Sequence, residues 1–217
     1  MTRKTNARLA GFAFLFYIAV AFPSMVLLNR ATSGVGLAAK LAGIAQHAAD
    51  VRLSVLLSLG GCFSALVLAV TLYAITRDED PDLAMLGLTC RVGEGLIGAA
   101  SIPATVALLQ LATVTGPQAP DGPATQALAA FVLEQSPLVS ALFFAVGSTL
   151  FSWLLLRGRV IPLALARLGL IASVLLVVGL PLQLAGFLSG LVTQLMWLPV
   201  AVFELTLGPW FLIKGVP

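Results

Sequence analysis

The chain reads as an all-α integral membrane protein, a bundle of six transmembrane helices with two short amphipathic helices in its outer loops. Three observations predict this. Of its 217 residues, 59% are hydrophobic and only 10% are charged, against roughly 25% charge in soluble domains. The mean hydropathy is +1.05. Six separate apolar runs each reach the roughly 20 residues that a helix needs to cross a bilayer. Together these argue against a soluble globular domain and for one six-helix transmembrane domain over residues 1–217.

Span one covers about 8–28. Arg3, Lys4 and Arg8 precede it, and Ala19-Val20-Ala21 has the small-x-small form of a signal-peptidase site. Met25-Val26-Leu27-Leu28 carries the apolar run past that point, so an uncleaved first helix is expected. In the outer connection 29–52, Leu37, Leu41, Ile44 and Ala48 share one helical face, while Lys40, Gly43, His47 and Asp50 share another. That is the pattern of a short amphipathic helix lying on the outer surface or capping the bundle. Span two follows over about 53–76, where Gly60-Gly61, Ser54, Ser58 and Cys62 suit close helix packing.

Asp80-Pro81-Asp82 gives span three, about 84–112, an N-cap, a first-turn proline and an acidic first turn. Pro103 is expected to interrupt this helix. The second outer connection, 113–136, places Leu128, Phe131 and Val132 beside Gln126, Glu134 and Gln135, a second amphipathic segment. Ser136-Pro137 opens span four, about 137–156. Spans five and six, about 162–187 and 191–213, are separated only by Gly186 and Leu188-Ser189-Gly190, so they form a tight hairpin. Pro199 is positioned to kink span six above Glu204.

Orientation follows from Lys and Arg in the short loops. With the N-terminus inside, Arg3, Lys4, Arg8, Arg77, Arg157, Arg159 and Lys214 lie inside, and Arg30, Lys40 and Arg52 outside. Both termini are therefore expected in the cytoplasm. The formal charge of +3 comes from residues spread through these loops, with none of the basic, aromatic-interleaved face that nucleic acid requires. No nucleic-acid partner is expected, and the bilayer is the main one.

Catalytic and metal chemistry find little support. The single histidine, His47, lies in an outer loop, and no Ser/His/Asp or Cys/His set forms a motif. No metal, no cofactor and no enzymatic activity are expected. Cys62 and Cys90 sit at depths roughly 10 Å apart, beyond the about 7 Å between Cα atoms that a disulfide tolerates.

Four charges stand inside the apolar spans: Arg91, Glu94, Arg167 and Glu204. A charge there is costly, which makes each a candidate binding residue. Arg91 and Glu94 are three apart and share a helix face, which Gly98, Ser101 and Thr105 continue as a small, polar stripe expected to face protein. At 1.5 Å per residue, Arg91 lies roughly 10 Å, Glu94 and Glu204 roughly 15 Å, and Arg167 roughly 8 Å from the inner boundary. The four are expected to form one cluster, with Arg91 between Glu94 and Glu204. Arg167 has a second reading, snorkelling to the inner headgroups.

The C-terminal run Phe203-Glu204-Leu205-Thr206-Leu207-Gly208-Pro209-Trp210-Phe211-Leu212-Ile213-Lys214-Gly215-Val216 resembles the signature of an uncharacterised bacterial membrane family, domain of unknown function 4386. Leu154-Leu155-Leu156-Arg157 through Pro162 and Gly169 resembles its junction between spans four and five, with Arg159 and Arg167 as extra charges here. Arg91 with Glu94, and His47 with Arg52, match further features of that family. The resemblance implies a multi-pass plasma (inner) membrane protein of unknown activity, with Arg91, Glu94 and Glu204 as the shared core.

Two functions fit these residues. In one, the chain is a small carrier or binding protein whose cluster meets a proton or a small polar or cationic ligand; a water-filled cavity should then reach the charges. In the other, it is a non-enzymatic membrane partner or assembly protein, and the cluster is a dry clasp between helices.

Overall fold

The computed structural model describes residues 1–114, 123–134 and 137–216. These residues are all-α: α1 (Arg3–Ala31), α2 (Leu37–Gln46), α3 (Ala48–Thr76), α4 (Pro81–Thr113), α5 (Pro123–Glu134), α6 (Leu138–Arg157), α7 (Leu163–Leu184), α8 (Leu191–Leu195) and α9 (Leu198–Ile213). Six stretches are long and apolar enough to cross a membrane: α1, α3, α4, the stretch Thr125–Arg157 that contains α6, α7, and the stretch Leu191–Ile213 that contains α8 and α9. This is the make-up of a multi-pass membrane protein.

The helix ends follow local chemistry. Thr2 Oγ1 accepts the Thr5 N–H at 3.1 Å, and Asp80 Oδ1 accepts the Leu83 N–H at 3.1 Å, each satisfying a donor that the first helical turn leaves free. At the end of α7, the Phe187 and Gly186 N–H groups return to the carbonyls of Leu182 and Gln183. Gly186, at φ 81°, takes the left-handed position of that closure. The same pair of returning bonds closes α6, from Val160 to Leu155 and from Arg159 to Leu156. There the left-handed position belongs to Arg159, at φ 50°.

Several expectations need revision. Pro103 leaves α4 continuous. Span six is broken instead of kinked: α8 ends at Leu195, and Pro199 stands in the first turn of α9, where its missing N–H costs nothing. The Gly98–Ser101–Thr105 stripe is not sequestered. Ser101 is exposed, and its hydroxyl is satisfied by the Gly98 carbonyl of its own helix at 2.7 Å. Ser136 and Gln135, and the Glu134 side chain, fall outside the described residues.

The chain's contacts group into two compact units. The first comprises Met1–Tyr17, Cys62–Ile97 and Leu138–Pro217. Its core joins Ala10 and Phe14 of α1, Leu68 and Leu72 of α3, Phe151 and Leu154 of α6, and Phe203, Leu207 and Phe211 of α9. A second cluster joins Phe144 of α6 to Ala172 and Leu176 of α7, and to Met196 and Val200. Gly11 allows α1 to approach the backbone of α9: a Cβ there would lie 2.6 Å from the Gly208 oxygen and 2.8 Å from the Leu212 nitrogen.

The second unit comprises Ile18–Gly61 and Gly98–Pro137. The apolar face of α2 is used as its spacing predicts, with buried Ile44 joined by Leu37, Leu41 and Ala48 against Val51, Leu108, Leu109 and Ala129. Ser24 binds the Ser54 carbonyl at 3.0 Å and the Ser58 hydroxyl at 2.9 Å, so this part of α3 packs through small polar residues.

Candidate functional site

The site lies within the first unit and begins on α4. Arg91 and Glu94, one helical turn apart, are 1% and 4% exposed, and Arg91 Nη1 lies 2.9 Å from Glu94 Oε2. That is an ion-pair distance, but the N–H groups point off the line, and Nε, Nη1 and Nη2 all lack a hydrogen-bond acceptor among the described residues. A buried, unmatched donor costs roughly 1–3 kcal/mol, and more when it is charged.

Other elements hold this pair in place. From α1, the Tyr17 hydroxyl donates to Glu94 Oε1 at 3.0 Å. From α6, the Ser140 hydroxyl donates to the Glu94 backbone carbonyl at 3.0 Å, and the Phe144 ring lies under the guanidinium, 4.8 Å from centroid to Cζ. Such a desolvated cation–π contact contributes about 2 kcal/mol. Gly147 leaves room for the arginine stem, since a Cβ there would come within 3.0 Å of Arg91 Cγ.

Glu204 arrives from α9. It is 7% exposed, and no described residue hydrogen-bonds or ion-pairs with its carboxylate. It lines one small cavity with Arg91, Ser148 and Ser152, closed by Phe14, Leu72, Phe151 and Phe203. The cavity measures about 10 Å³, room for about one water. Of the four expected residues, Arg91 therefore meets Glu94 in an ion pair and shares a cavity with Glu204.

Arg167 does not join them. It is exposed and lines a different cavity with Arg159, at the connection between α6 and α7. Depth along the helix places it near the cluster, but its direction around α7 takes it elsewhere. Tyr17, Phe144, Ser148 and Ser152 are absent from the sequence reading. Ser140, Phe144, Ser148 and Ser152 recur every four residues, a face that helical spacing reveals once span four is considered beside span three.

His47 Nδ1 lies 3.3 Å from Asp50 Oδ2, one turn away on the second unit, and both cysteines are free thiols. Tyr17→Phe removes the hydrogen bond that Glu94 Oε1 receives among the described residues. It is expected to lower stability by roughly 1.5–3 kcal/mol, the range for a bond to a charged group; thermal unfolding in detergent measures it, and an unchanged midpoint would mean that the hydroxyl does not hold the carboxylate.

A family model described as a domain of unknown function (DUF4386) matches residues 9–215. No curated protein and no solved structure matches the chain.

Proposed function

The chain belongs to the DUF4386 family, and we propose that it is a small, non-enzymatic carrier or binding protein whose intramembrane site exchanges a proton or a small polar or cationic ligand at Glu204. One observation carries this reading: the Glu204 carboxylate, with no hydrogen bond or ion pair among the described residues, lines the same water-sized cavity as the buried guanidinium of Arg91, whose nitrogens lack a well-aligned acceptor there. Buried polar groups are ordinarily matched, and an exception calls for a function or an unseen small partner. In the present conformation the cavity admits a water or a proton; a larger ligand requires α9 to move away from α4 and α6.

The roles divide within the cluster. Glu94, with Arg91, Tyr17 and Ser140 around it, is the anchored member, and it serves as the clasp that the second reading requires. Glu204 is free to trade partners. By the distribution of Lys and Arg, the site lies in the inner half of the plasma membrane, with both termini in the cytoplasm.

Infrared difference spectroscopy of the reconstituted protein tests the exchange. Wild type is expected to show a carboxyl carbonyl band that changes with bath pH and shifts in heavy water, and Glu204→Gln should lack it. A pH-insensitive spectrum that is identical in both proteins would mean a sealed site and leave the structural clasp as the account.

A further inference from the structure

The cavity at the α6–α7 connection has an entirely different character. It offers about 580 Å³ and is walled by Leu156, Arg159, Ile161, Leu163 and Arg167. No acid lines it. The acids that reach this connection are committed to other arginines: Asp80 pairs with Arg157 at 3.3 Å, and Glu79 with Arg3 at 3.9 Å. Neither Arg159 nor Arg167 forms an ion pair among the described residues.

Two unpaired guanidiniums on one cavity repel each other, and a shared anion relieves them. The guanidinium fork matches phosphate geometry better than any other cationic side chain. The backbone also points to a use for Arg159. It occupies the left-handed closing position of α6, which glycine ordinarily takes, at φ 50°. Strain of this kind persists where something else depends on the side chain.

The walls name the source of the phosphate. Leu156, Ile161 and Leu163 are apolar, and Leu163 is 51% exposed. The cavity opens where two apolar helices end, with Arg167 one turn into α7, the level of lipid headgroups. Basic pockets at the cytoplasmic ends of spans hold anionic headgroups in this manner. We propose that the cavity binds an anionic phospholipid, its phosphate between Arg159 and Arg167 and its acyl side against Leu156, Ile161 and Leu163.

Thermal unfolding of the full chain in a neutral detergent tests this, with phosphatidylglycerol, phosphatidylcholine or inorganic phosphate added at equal concentration. Phosphatidylglycerol is expected to raise the midpoint of wild type above the value in phosphatidylcholine, and inorganic phosphate to leave it unchanged. Arg159→Gly and Arg167→Gln should each reduce the phosphatidylglycerol shift, and together abolish it. Glycine suits the backbone at 159, so Arg159→Gly keeps the fold while removing the guanidinium. Equal shifts with the two lipids, or a full shift in the double variant, would overturn the proposal. A shift produced by inorganic phosphate alone would overturn the lipid assignment in favour of a free-anion site.

Discussion

Arg91→Leu is expected to destabilise the protein by roughly 3–5 kcal/mol, the cost of leaving one member of a buried ion pair without its partner. Arg91 is 1% exposed and Glu94 4%, so water cannot replace the lost charge. The contact with the Phe144 ring is lost as well. The origin of the effect is separable. Arg91→Leu combined with Glu94→Leu removes both charges, and apolar replacement of a whole buried pair is often neutral or better. The double variant should therefore recover much of the loss, less the bond that Tyr17 forfeits. Thermal unfolding in detergent checks both, and a double variant as unstable as the single one would place the effect in packing.

Gly11→Ala is expected to destabilise the protein as well, and its sign identifies the cause. In an ordinary helix interior, glycine to alanine stabilises by up to about 1 kcal/mol. Here the added Cβ would lie 2.6 Å from the Gly208 oxygen and 2.8 Å from the Leu212 nitrogen. These are backbone atoms and cannot rotate aside, so α1 and α9 must part. Overpacking of this kind costs roughly 1–3 kcal/mol, a net loss where propensity alone predicts a gain. Gly208 lies one turn beyond Glu204, so parting these helices also moves the carboxylate away from Arg91. A stabilised Gly11→Ala would show that the helices are not in tight contact.

What the sequence made legible was local. The Asp80-Pro81 start, the Gly186 closure and the amphipathic face around Ile44 each depend on residues within a turn or two of one another. All three take their expected form. The Arg91–Glu94 pair, three residues apart, was readable for the same reason. Glu204 could be added because depth along a span is set by a constant rise.

Depth says nothing about direction around the helix axis, which only packing fixes. Arg167, at a similar level, therefore turns to another cavity, and Ser101 stays exposed although it continues the Arg91 face. Tyr17 illustrates the complementary gap. A tyrosine in an apolar run carries no partner in its own segment, and its bond to Glu94 spans 77 positions in the chain. Pro199 was ambiguous in principle, since the same residue kinks a helix from inside and opens one from its first turn.

The contrast between the two glutamates is the centre of this account, and stability measures it directly. Glu94→Gln and Glu204→Gln are to be compared with wild type by thermal unfolding in the same detergent. Glu94 has an ion pair and a tyrosine bond to lose, so its variant should unfold at a clearly lower temperature. Glu204 has neither, and neutralising a buried, unpaired carboxylate should leave stability unchanged or raise it. That outcome marks a charge kept for function at a cost in stability. If Glu204→Gln is destabilised as much as Glu94→Gln, Glu204 belongs to the clasp, and the exchange site proposed at Glu204 is contradicted.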